Sequence, residues 1–184
     1  MINFTVLANQ IRDHVNNKLS KNAFGDDDKW NHLFVSMDTL EDTIEALKYY
    51  KLQGFGEDDP SKYIHLHGVL QSIFIQQNAI IGLNKVFDGD DLLKSKYPKW
   101  FEIRKLRHKV TGHPTEKDSG EELKRIYLSR TSIEDDSFDL TIWHKNSGHD
   151  ENVHINFKDI YEAYKDEAFI ILKKIHQNQI INWP

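Results

Sequence analysis

The sequence contains no cysteine. Disulfides, thiolate nucleophiles and cysteine-based metal sites are excluded, and the composition suits a reducing, cytoplasmic setting. MINFTVLANQIRDH has no basic segment leading into an apolar one, so no secretory leader is expected. No apolar run is long and clean enough to span a bilayer. The greasiest stretch, 68–87, is broken by Gln71, Gln76, Gln77, Asn78 and Asn84 and reads as a buried helix, so no membrane partner is expected. Positive charge is not in excess either: a net charge of −5 argues against indiscriminate coating of nucleic acid. The signatures G-x-x-x-x-G-K-[ST], G-x-G-x-x-G, G-x-S-x-G and H-E-x-x-H are missing, which removes the familiar nucleotide, hydrolase and zinc-protease readings.

What is present suffices for a folded domain. Apolar residues make up 39% of 184, enough for one core, and the chain reads as a single domain over 1–184. Periodicity predicts a mainly α fold, an up-and-down antiparallel bundle. Phe4, Leu7, Ile11, Val15 and Leu19 mark a first helix from Asn3 to Ser20. Trp30, Leu33, Met37, Leu40, Ile44 and Leu47 draw a seam along a second, Lys29 to Gln53. A third, central helix spans Ser61 to Phe87, with Leu66, Val69, Leu70, Ile73, Phe74, Ile80 and Ile81 on one face. Gln77 falls within that face and Asn84 beside it. A buried amide must find a partner, so Gln77 either bridges helices or orients a site residue on a neighbour. Gly68, Ser72, Ala79 and Gly82 form a small-residue seam suited to close helix approach, within the chain or across a dimer. Leu92–Lys96 reads as a short helical piece, and Lys99–Thr111 as the fourth helix. From Lys124 to Phe157 the period changes to two, which predicts a small three-stranded antiparallel β meander at about 124–157, with turns at Ser132–Ser137 and Asn146–Asn152. Lys158 to Ile181 returns to helix.

Charge is unevenly placed. Between Lys94 and Lys109 lie seven Lys/Arg and one acid, Glu102, whereas acids gather at Asp26–Asp28, Glu57–Asp59 and Glu134–Asp136. The ten histidines have no tight ligand spacing: His65 and His67 are two apart on a helix, and His144, His149 and His154 spread over strand and turn. They read as surface residues, and neither a metal nor a cofactor is expected. The chemistry concentrates in KWFEIRKLRHKVTGHP, Lys99 to Pro114. Ile103, Leu106 and Val110 form its buried stripe, Gly112 suits the left-handed position that ends a helix, and Pro114 prevents its return. Arg107 lies about 40° from Ile103 around the helix, at the edge of that stripe, with Arg104 and His108 turned further outward. A partly desolvated Arg107 could grip a phosphate, and His113 could act as general base or acid. A surface arginine paired with an acid, beside a helix-capping histidine, is the plainer alternative from residue types alone.

Arg107-His108-Lys109-Val110-Thr111-Gly112-His113 resembles the signature of the HEPN superfamily of small helical domains: Arg, a polar residue, four to six residues, His. The wider context, from Tyr63 to Thr115, is similar to uncharacterised bacterial HEPN-like proteins. In these a Gln-rich buried helix, here Leu70 to Ala79, precedes an Ile-Arg-x-x-Arg helix ending in Gly-His-Pro. The resemblance implies a homodimer with the two motifs facing each other. In active members it implies metal-independent RNA cleavage, as in toxin–antitoxin and phage-defence ribonucleases. It assigns catalysis to Arg107 and His113. Of the residues around them, His108, Arg104 and Gln77 are read as supporting, and Lys99, Lys105 and Lys109 as RNA or phosphate contacts. The implied partners are a second copy, RNA or a nucleotide, and an antitoxin protein. The second motif position is commonly Asn and here is His108. A catalytically inactive HEPN-like domain that binds RNA, a nucleotide or a protein is the alternative, as is a bridge across a dimer interface. The meander lies outside the core HEPN pattern.

Overall fold

The computed structural model describes residues 4–87, 89–112 and 124–183. It has the expected fold class: a helical bundle with a three-stranded antiparallel sheet inserted before the last helix. Helix α1 (Phe4–Lys18) buries Leu7, Ile11 and Val15. A single helical turn, α2 (Lys21–Phe24), follows where only a break was expected. Gly25 ends it at φ 64°, a left-handed conformation that suits a residue without Cβ. Helix α3 (Asp27–Gln53) starts two residues earlier than expected. The Asp26 carboxylate accepts hydrogen bonds from the backbone N–H of Asp28 and Lys29 and so satisfies donors the first turn leaves open. Helix α4 (Asp59–Val86) is capped the same way by Asp58, which accepts from the Ser61 N–H, and it carries Pro60 in its first turn.

Helices α3 and α4 make the principal pair of the bundle. Gly82 lies so close to α3 that a Cβ there would run into Ser36 and His32. Gly68 is exposed, with open space around its Cα. The small-residue seam is therefore used within the chain at Gly82. The segment Leu92–Lys96 is not helical: it is a turn at Lys94–Lys96, where the Lys96 and Tyr97 N–H groups share the Leu93 carbonyl. Pro98 then opens α5 (Pro98–Arg107). The α-helix stops there rather than at Thr111, and the chain continues as a π turn from His108 to Gly112.

Strands β1 (Lys124–Leu128), β2 (Ser137–His144) and β3 (His149–Asn156) pair in order β1-β2-β3. A 3-10 turn, Arg130–Ser132, leads from β1 toward β2. The register sets Ile126 opposite Ile142, Leu140 opposite Val153 and Phe138 opposite Ile155, which gathers the apolar residues on one face. The second turn is shorter than expected. The Gly148 N–H donates to the His144 carbonyl at 2.8 Å with Gly148 at φ 62°, so β3 begins at His149. Phe138 is fully buried against Phe157, the first residue of α6 (Phe157–Asn182). β1 runs beside the π turn that follows α5. No described helix is long and apolar enough to cross a membrane.

Candidate anion-binding site on α4 and α5

Helix α5 is short and strongly basic, so its place depends on a few anchors. Trp100, in its first turn, is wholly buried. Its N–H donates to the Glu167 carboxylate of α6 at 2.6 Å, and its carbonyl accepts from Gln77 Nε2 of α4 at 2.7 Å. Its indole packs 5.7 Å from the Tyr164 ring. One residue is thus tied to both neighbouring helices. Further along, Ile103, Leu106 and Val110 are buried as their spacing predicted. The helix is thereby fixed in rotation, and its i,i+3 pair Arg104 and Arg107 meets α4.

Gln71, Phe74 and Asn78 receive that pair. Arg107 donates from Nη2 to Gln71 Oε1 at 2.9 Å and from Nε to the same oxygen at 3.3 Å. Arg104 donates from Nη1 to Asn78 Oδ1 at 3.2 Å. Both guanidiniums stack over Phe74, with their carbons 4.3 Å (Arg104) and 4.5 Å (Arg107) from the ring centroid. Such contacts are worth roughly 0.5–2 kcal/mol each according to desolvation. Phe74, expected in the core, is half-buried at its edge, where it supplies this platform. Arg104 was expected to point outward as part of the electrostatic surroundings; it instead folds back over Phe74 and is half-buried like Arg107.

Among the described residues, neither guanidinium meets a carboxylate. Arg12 shows the contrast, since it bonds Asp38 and Glu41 at 2.7 Å each. Among the described residues Arg107 is not the acid-paired surface arginine of the plainer alternative: it bonds the neutral amide of Gln71, stacks on Phe74 and lies against His108. Burial and the neighbouring Arg107 charge both draw the Arg104 guanidinium below its ordinary pKa. Two like charges are held together by groups that bond them without cancelling them.

The π turn lies directly after Arg107. Its first residue, His108, sets Nδ1 3.4 Å from Arg107 Nη1 and its ring 5.9 Å from Phe74, nearly perpendicular. The Thr111 hydroxyl donates to the Arg107 carbonyl at 3.0 Å. Wide turns of this kind recur at functional sites because they let backbone and side chains leave the helical lattice.

The remaining sequence-derived site residues fall as follows. Gln77 acts on the Trp100 carbonyl, two turns before Arg107, so it sets the helix and not the guanidinium; its Oε1 has no hydrogen-bond partner among the described residues. Lys99 is exposed and pairs with Glu102 at 2.6 Å. Lys105 is exposed and Lys109 half-buried. His113 and Pro114 lie outside the described residues. Gln71, Phe74 and Asn78 were not identified as site residues from sequence. Their signal was present: they follow i, i+3, i+7 spacing on a helix whose other face is core. Among the described residues no three His, Asp or Glu side chains converge as metal ligands. A cavity of about 770 Å³, lined by Tyr50, Asp58, His65, Asp136 and Tyr161 among others, includes none of the arginine cluster. Compared with protein-family models, with curated proteins and with solved structures, the chain matches none of them.

Proposed function

We propose that this protein is a HEPN-type, metal-independent endoribonuclease of the toxin or phage-defence kind, acting as a homodimer through Arg107 and His113. The observation that carries the reading is the Arg104–Arg107 pair on Phe74, which meets no carboxylate among the described residues and lies inside the segment that resembles the HEPN signature. In the reaction the 2′-oxygen attacks the adjacent phosphorus and the bond from phosphorus to the 5′-oxygen breaks. One imidazole takes the 2′-hydroxyl proton and a second, from the other protomer, gives a proton to the leaving 5′-oxygen. The products are a 2′,3′-cyclic phosphate and a 5′-hydroxyl. Arg107 stabilises the charge that builds on the phosphorane oxygens. The test is incubation of the purified protein with mixed RNA in EDTA. Cleavage is expected, and Arg107→Ala or His113→Ala is expected to abolish it. No cleavage, or cleavage that survives both substitutions, sinks the reading, and so does a monomer under the assay conditions.

A second reading, a non-cleaving domain that binds RNA or a nucleotide, has one observation in its favour. His108 occupies the motif position that is commonly Asn and turns its Nδ1 toward Arg107. Salt-sensitive RNA binding with no turnover would select this reading over the first.

A further inference from the structure

The arginine cluster holds two cations where one would suffice for a single phosphate. Both guanidinium carbons lie within 4.5 Å of one ring centroid, so twice that distance, about 9 Å, bounds their separation. Each has its own amide acceptor on α4, Asn78 for Arg104 and Gln71 for Arg107. Each keeps N–H groups not used by those amides, since a guanidinium has five. The amides and the ring hold the planes in place, and among the described residues no acid competes for the free donors. Two neighbouring phosphates on one strand, or the two phosphates of a diphosphate, fall inside the bound.

We propose that Arg104 and Arg107, set by Asn78, Gln71 and Phe74, form a two-anion clamp whose ligand carries two linked phosphates. Arg107 takes one phosphate and Arg104 the next. The clamp deepens the function proposed above, and it rests on that reading for the choice of RNA as one source of the phosphates; a nucleoside diphosphate is the other.

The test is a binding titration of the full chain in EDTA at fixed pH and ionic strength, with orthophosphate, pyrophosphate, a nucleoside diphosphate and a short single-stranded oligoribonucleotide as probes. Pyrophosphate is expected to bind at least about fivefold more tightly than orthophosphate, and Arg104→Gln to reduce that ratio to less than about half. Asn78→Asp, which sets a carboxylate against Arg104 from an exposed position, should do the same if the arginine variant folds poorly. Lys173→Gln removes one positive charge from an exposed site on α6 and should leave the ratio unchanged. A smaller ratio in the native chain, a ratio insensitive to both clamp variants, or an equal fall with Lys173→Gln overturns the clamp. Displacement of pyrophosphate by the oligoribonucleotide assigns the phosphates to a strand. Displacement by the nucleoside diphosphate alone assigns them to a nucleotide. Cleavage is not read in this experiment, so an intact clamp without ribonuclease activity would refute the enzyme reading alone, and cleavage without a pyrophosphate preference would refute the clamp alone.

Discussion

Two glutamines six residues apart on α4 do different work. Gln77 is fully buried and gives an N–H to a backbone carbonyl; Gln71 is half-buried and gives an oxygen to a cation. The same substitution should therefore have effects of very different size. Gln77→Glu places a fully buried carboxylate against the Trp100 carbonyl, and should cost roughly 3–5 kcal/mol in urea unfolding near neutral pH. Gln71→Glu places a carboxylate against Arg107 at a partly solvated position, and should change stability by less than about 1 kcal/mol. It should nevertheless weaken phosphate binding, because the new charge cancels the one the ligand needs. Equal stability losses from the two substitutions would show that the division of labour is wrong.

Helix α5 is the element whose placement matters most, and its N-terminal anchor is testable. Glu167→Ala removes the carboxylate that the Trp100 N–H bonds and should destabilise by about 1–2 kcal/mol, read as a fall in the urea midpoint. Helix α4 carries a pH effect as well. Burial draws the His67 imidazole below its ordinary 6.5, and its ring packs on Tyr63 with centroids 4.4 Å apart. Between that lowered value and 6.5 the unfolded chain binds a proton that the folded chain refuses. The contribution is fully present above pH 6.5 and is lost as pH falls toward the folded value. His67→Gln should flatten the stability profile just below pH 6.5; an unchanged slope would place the titration elsewhere. The elements themselves were legible from the sequence to different degrees. Stripes such as Leu33, Met37, Leu40, Ile44 and Leu47 gave the long helices, because burial repeats with the helical turn, and Ile103, Leu106 and Val110 marked the short α5 in the same way. The π turn was not legible, since the same stripe fits an unbroken α-helix. The inward fold of Arg104 was not legible either: its angle on the helix pointed outward, and only the partner helix supplied Phe74 as a surface to fold onto.

On the scale of the whole molecule, the meander is joined to the bundle through Phe138 and Phe157. Phe138→Ala should cost roughly 3–5 kcal/mol by opening a cavity between sheet and α6, seen as a lowered thermal midpoint. Because β1 lies beside the π turn, that loss should also weaken phosphate binding at the arginine cluster. The chain as a whole is acidic, yet α5 sets a pair of arginines against neutral partners on α4. That neutrality has a consequence for measurement. Amides do not titrate, and guanidinium groups keep their protons at any pH where a protein folds. The cluster is therefore a constant double charge, indifferent to acidity. Whatever pH dependence phosphate binding shows must come from the ligand or from other groups of the chain, so the arginines provide an unchanging baseline against which those titrations can be read.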